Sequence, residues 1–441
     1  MKILRASAPT LLLIAAQLQS INVQADSLEQ VIARTLESNP QAQASLNRFQ
    51  ASTETVKVAR GGYLPTLDFK TGVGSERLDS PYTRAVGSDQ KDFKPKENAL
   101  TLNQNLFDGL STTNEYRKTR EQQESHRELL RSKAEMLALD VADVYLKVME
   151  QQRQVKLAQA NLNTHERIHQ LVQQRADQGV ANQSDLYQIE GRLARARANV
   201  ISSRNNLQDA ESQYFRLVND IPNDLSMPQI NDIVLPGELD EAIAIALKEH
   251  PALSASIYDV KASQHGYDQT RSQFMPKVDL SLTQRWDRDV NGQKGKHDDT
   301  LAMLSLNYNL FRGGSDSAKR QEAAYMLEES RANQQNAQRM VTESMKISWS
   351  ALDSLTSEQP FLKRHMDASA QTVKAYKQQF DLGKRSLLDL LDSENESYQA
   401  QREYTNANYR VVYARYRVLN SMGQLLRKLN IGLPAGWHTE S

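Results

Sequence analysis

Cysteine is absent from the chain, which excludes disulfides, a redox pair and a lipid anchor attached through a cysteine. Apolar residues make up 39% and aromatics 6%, a share that suits long exposed helices better than one thick core. Net charge is zero, with 54 acidic and 54 basic residues, so nucleic acid is not an implied partner. Beyond the first 25 residues no window reaches the length and apolarity of a transmembrane helix. If such a chain enters a membrane, it does so as β-structure. No glycine-rich phosphate loop or nucleophile elbow occurs, so neither an energy source, a cofactor nor an enzymatic reaction is indicated.

What is present begins with a targeting segment. Lys2 and Arg5 supply a positive start, residues 6–18 an apolar stretch, and Val23-Gln24-Ala25 a small-residue cleavage site. Residues 1–25 therefore read as a signal peptide, with the mature chain starting at Asp26.

The remainder is a tandem duplication. Leu28-Glu-Gln-Val-Ile-Ala-Arg-Thr-Leu-Glu-Ser-Asn-Pro40 matches Leu239-Asp-Glu-Ala-Ile-Ala-Ile-Ala-Leu-Lys-Glu-His-Pro251, and Tyr63-Leu-Pro65 matches Phe274-Met-Pro276. Leu102-Asn-Gln-Asn-Leu-Phe-Asp-Gly109 matches Leu306-Asn-Tyr-Asn-Leu-Phe-Arg-Gly313. The first repeat covers 26–220 and the second 239–428, joined by a proline-bearing connector at 221–238 and followed by a tail at 429–441.

Each repeat opens with a short helix ending at Asn-Pro or His-Pro, then a second helix running to about Gly61 or Ser272. Two period-two segments follow. Leu67, Phe69, Thr71 and Val73 share one face, as do Leu100, Leu102 and Leu106 on the partner strand at 98–107. In the second repeat the faces are Val278, Leu280, Leu282, Trp286 and Ala302, Leu304, Leu306, Tyr308, Leu310. The pattern fits transmembrane strands and a half-buried soluble sheet about equally. Four strands are too few to close a barrel, since the smallest need about eight, so a membrane reading requires several copies. The polar stretches at 77–97 and 287–299 read as solvent-facing turns. Tyr63, Phe107, Trp286 and Phe311 serve either as interface anchors or as core.

Glycine-marked breaks then lead into helices free of proline over 111–177, with only Pro360 in the second copy. Leu130, Leu137 and Val144 recur every seventh residue, a coiled-coil spacing. A return helix of about 36 residues follows the turn, roughly half the outgoing length, and the helix at 40–60 stacks on its end to cover the difference. An extended coiled-coil rod satisfies these features too.

The turns between the long helices differ in charge. Residues 380–392 carry Arg385, Asp389 and Asp392, whereas the copy 204 positions upstream has Ala181, Asp185 and Gln188 there. Ser386 with Asp389 fits a helix N-cap and its N3 carboxylate, as do Asn182 and Asp185. Asp389 and Asp392 lie on one helix face. His165-Glu-Arg-Ile-His169 fits the zinc-protease pattern H-E-x-x-H, but it lies within the heptads and Ser369 and Val373 replace both histidines in the other copy. A periplasmic zinc protease or coiled-coil scaffold is the reading from another class.

The duplicated order, and above all Asn309-Leu-Phe-Arg-Gly-Gly314 and Tyr416-Arg-Val-Leu-Asn-Ser-Met-Gly-Gln-Leu-Leu426, resembles the TolC-like outer-membrane channels, most of all those of type I protein secretion. The resemblance implies an α+β membrane protein of the Gram-negative outer membrane, a homotrimer. Its four strands per protomer join a twelve-stranded β-barrel among outer-membrane lipid, and its duplicated helical hairpins form an α-barrel tunnel into the periplasm. It implies a periplasmic adaptor at the turns of Gly179 and Gly383, and an inner-membrane ABC transporter or other pump. It further implies a gate locked by Arg385 against Ser184 and Asp185, with Asp389 and Asp392 as a cation-attracting ring. Phe380 stands where some members have a tyrosine that joins the lock. Multidrug or metal efflux is the alternative cargo.

Overall fold

The computed structural model describes residues 26–180, 182–229, 234–434 and 437, so the expected signal peptide lies outside the described residues. Helix α1 (Leu28–Ser38) starts at a full capping box, in which Ser27 and Gln30 satisfy each other's backbone amides. Asn39 ends it in extended backbone and at once caps α2 (Pro40–Gly61) through the Gln41 amide. The proline ring forces the preceding residue out of helical geometry, which is why Asn-Pro separates two helices instead of joining them. The second repeat repeats this with α6 (Leu239–Glu249), His250 and α7 (Pro251–Gln269), where the imidazole Nδ1 accepts from Ala252. A 3-10 turn at Thr270–Phe274 then leads to the strands.

Strands β1 (Thr66–Val73), β2 (Lys96–Phe107), β3 (Lys277–Arg288) and β4 (Lys296–Asn307) form one antiparallel sheet in that order. The central pairing, β2 with β3, joins the two repeats. Register places Leu67, Leu102, Leu282 and Ala302 in one cross-strand row and Phe69, Leu100, Gln284 and Thr300 in the next, so the period-two reading of the faces holds. Phe69 and Trp286 stack on that face with ring centroids 6.3 Å apart. Two strand expectations need correction. A bulge between Asn105 and Phe107 displaces Leu106 from the regular alternation, and β4 ends before Tyr308 and Leu310.

The loops are shorter or more built than 77–97 and 287–299 suggested. Pairing continues to Arg288 and resumes at Lys296, and a Glu76–Phe93 bridge extends the first hairpin. Its loop folds a helical turn, α3 (Pro81–Ala85), against the other hairpin: Thr83 is fully buried, and the amide of Gly292 donates to Glu76 at 3.4 Å.

Helices α4 (Ser111–Asp177) and α8 (Ser315–Asp381) each run 67 residues, about 100 Å, and α8 continues unbroken through Pro360. The return helices are α5 (Gln183–Val218) and α9 (Leu387–Ser421), followed by a short α10 (Leu425–Lys428). End-to-end stacking is held by a side chain: Asn39 Nδ2 donates to the carbonyl of Leu217 at 3.0 Å, so α2 begins where α5 stops. Contacts of Gln41 with Lys133 and of Thr53 with Gln123 lay α2 antiparallel along the rest of α4. At the matching junction of α9 and α7, a Cβ on Gly423 would sit 2.7 Å from Pro251 and its φ is +69°, so this position requires glycine.

The main core lies at this girdle. Leu28, Ile32, Leu137, Val141, Tyr145, Tyr214, Met345, Tyr416 and Leu419 bury there together. The Tyr145 hydroxyl sits between the carbonyls of Asp26 and Ser226, at 2.7 and 2.6 Å, tying the segment just before α1 and the connector to α4. Leu429 and Trp437 complete the cluster.

Candidate functional site: the hairpin tips

Both hairpins end in the same turn. Gly179 and Gly383 adopt left-handed φ values of +73° and +69°. Their amides bond the carbonyls of Ala176 and Phe380, while the next amides, of Val180 and Lys384, reach back to Arg175 and Gln379. This is the Schellman arrangement, which satisfies the last helical carbonyls and favours glycine at the left-handed position.

The tips do not hang separately. Ile168, Val172, Ile189, Phe380, Leu387, Leu390 and Leu391 form a second small core drawn from α4, α5, α8 and α9. Phe380 is a buried member of it, under the Arg175 guanidinium at 4.6 Å from the ring centre. Aromatic and cation hold each other there, one from each hairpin.

Ser386 caps α9 as expected, accepting from the Asp389 amide at 3.2 Å and donating to the Asp389 carboxylate at 2.7 Å. The first copy differs: Asn182 stands at the N-cap of α5 without a side-chain cap bond, contrary to the parallel drawn from sequence. A short polar side chain at the right position permits a cap without obliging one.

Within the protomer Arg385 does not meet Ser184 or Asp185. Its guanidinium lies 4.1 Å from the Tyr376 ring centre, its Nε donates to Gln379 at 3.1 Å, and its Nη1 stands 3.8 Å from Asp389. Asp392 is held across the repeats, accepting from Arg192 of α5 at 2.6 Å. Sequence reasoning missed Arg192, Arg175 and Tyr376. Arg192 lies 200 positions from its partner, so no periodicity within one helix marks the pairing. Nearby, burial raises the Glu394 carboxyl above its usual range, with Lys377 and Arg167 only partly opposing.

Of the H-E-x-x-H residues, His165 is buried with its Nδ1 2.9 Å from the Asn161 carbonyl, and burial lowers its basicity. Glu166 lies 3.9 Å from Arg197. Among the described residues no group of three or more His, Asp or Glu has metal-binding geometry.

A duplicated long hairpin carrying a four-stranded sheet with one apolar face is the architecture of an outer-membrane duct, and a family model, "Outer membrane efflux protein", matches residues 31–219 and 242–424. The chain belongs to that family. Relatives include the outer membrane efflux protein BepC of Brucella suis, 22% identical over 91% of this chain and 86% of its own. The alkaline protease secretion protein AprF of Pseudomonas aeruginosa is 24% identical over 85% and 79%. TolC of Escherichia coli is 22% identical over 91% and 83%. Among solved structures, the outer-membrane channel OprN superposes with TM-score 0.79 at 19% identity, covering 90% of this chain and 89% of that one. CusC superposes with TM-score 0.78 at 16% identity, covering 92% of each. The protein is thus an outer-membrane efflux channel of tripartite export systems and not an enzyme.

Proposed function

We infer that three copies of this chain form one passive exit duct, and that its cargo is protein delivered by type I secretion. One observation carries the assembly: the sheet has four strands, an apolar outer face, and two unpaired edges at β1 and β4. Open edges are not tolerated in hydrocarbon, and about eight strands is the least that closes. Three copies supply twelve. An inner-membrane ABC transporter provides energy, and a periplasmic adaptor docks at the turns around Gly179 and Gly383. The names of AprF and of PrtF from Dickeya chrysanthemi, 23% identical, both denote protease secretion, which supports the cargo class. BepC favours the second reading, small-molecule efflux. Deleting the gene separates them: secretion predicts loss of one or more proteins from the medium with unchanged drug susceptibility, efflux the reverse.

At the tips, Arg385 is the lock between neighbouring protomers, facing Ser184 and Asp185 of the next copy, with Asp389 and Asp392 lining the constriction. Its support is that, among the described residues, the one carboxylate paired with Arg385 is Asp389, at a loose 3.8 Å. Phe380 keeps the tip packed without adding a hydroxyl to the lock. Single-channel conductance of Arg385→Ala and Asp185→Ala should rise in both; no change in either would reject the lock.

A further inference from the structure

The outer end of the sheet carries a charge arrangement that pairing alone does not account for. Register sets Val73, Lys96, Arg288 and Lys296 in one cross-strand row, with Lys96 opposite Arg288 and Arg288 opposite Lys296. Cross-strand partners stand about 5 Å apart at Cβ, and like charges directly opposite destabilise a sheet. Among the described residues none of the three cations makes an ion pair, and all three are exposed. The nearest carboxylate on the same face, Asp298, lies one row inward beside Trp286 and makes no ion pair with them.

Position sharpens the point. Side chains two apart on a strand share a face, so this row lies on the face of Phe69, Leu100, Leu102, Leu282 and Leu304, the one turned to lipid. It sits one row beyond Trp286, the kind of side chain that marks a membrane interface. The other end of that face, next to the helices, has Phe107, Val278 and Leu306 and no such cations. The row behind it, on the lumen face, carries Glu97, Asp287 and His297 instead. The opposite face carries Lys70, Arg285 and Lys277 at other levels, but on the apolar face the strand cations are confined to one end, the end farthest from the helical body.

We propose that Lys96, Arg288 and Lys296 form a binding site for the phosphate groups of the outer-leaflet glycolipid, lipopolysaccharide, on each protomer of the barrel. Three adjacent cations match a headgroup with more than one phosphate better than a monophosphate lipid, and the site opens sideways to the leaflet instead of to the channel. The proposal rests on the membrane-spanning reading above.

The test uses the full-length protein purified in detergent and stripped of endogenous lipid, titrated with purified lipopolysaccharide and followed by intrinsic tryptophan fluorescence and native mass spectrometry. The triple variant Lys96→Gln/Arg288→Gln/Lys296→Gln should bind about a hundredfold more weakly, from roughly fivefold per cation lost near a membrane surface. The variant Lys96→Arg/Lys296→Arg should bind as the parent does, which keeps the test decisive if the triple variant assembles poorly. Equal binding by parent and triple variant would overturn the site. So would equal binding of phosphatidylglycerol vesicles, or full competition by millimolar inorganic phosphate. Membrane fractionation distinguishes the underlying failure: a parent chain absent from the outer membrane rejects the barrel reading itself.

Discussion

Helices α4 and α8 are equal in length and occupy matching places in the two repeats, yet α4 buries 22 of its residues and α8 only eight. α4 is enclosed by α2, α5, α7 and α9 of its own chain. α8 instead leaves Met326, Met340, Ile347 and Phe361 about half exposed or more, at intervals of seven or fourteen residues. A stripe at that spacing is what a partner helix packs against. One copy of the duplicated helix therefore builds the protomer, and in the trimer proposed above the other is the one available to meet a neighbour.

The sharpest way to break this comparison is to change one residue on each helix. Leu137→Ala, in the α4 core at 1% exposure, should cost about 2–5 kcal/mol of protomer stability and lower the melting temperature in detergent. Met340→Asp, on the open stripe of α8, should leave helicity unchanged and abolish the trimer by light scattering. A Met340→Asp protein that stays trimeric would mean the stripe faces solvent.

A second difference is electrostatic. Glu135 on α4 is buried, with its oxygens accepting from the Leu425 and Leu426 amides at 2.9 and 3.3 Å; the matching residue on α8, Arg339, is exposed. Burial pushes the Glu135 carboxyl from 4.5 up to about 7, although those two amides, Arg131 and Arg427 oppose the shift. Because the folded value lies above the unfolded one, its stabilisation is complete below pH 4.5 and is lost as pH rises to about 7. The loss is about 3 kcal/mol. Glu135→Gln should flatten the melting-temperature profile over that window, and an unchanged slope would show that Glu135 does not titrate there.

The smallest expected effect separates the two hairpins at their tips. Ser386→Ala removes an observed cap and should cost about 1 kcal/mol, read as faster hydrogen exchange in the first turn of α9. Asn182→Ala removes no cap bond and should leave exchange in α5 nearly unchanged.

Much of this molecule was legible from its sequence. The duplication, the 67-residue helices, the glycine turns at their ends and most of the strand faces follow from local rules: periodicity, proline before a helix, glycine after one. Those rules act over a few residues, so a single chain states them in full. What only the tertiary structure decided are contacts between segments far apart in sequence. Asp392 looked like a free pore carboxylate until Arg192 was found 2.6 Å away, and Arg385 stacks on Tyr376 instead of standing free. The row of Lys96, Arg288 and Lys296 likewise appears only once register is fixed. An alternating pattern says which side of a strand is apolar, but not which residue stands opposite. That depends on how the hairpins dock, and docking is set by the whole core at once.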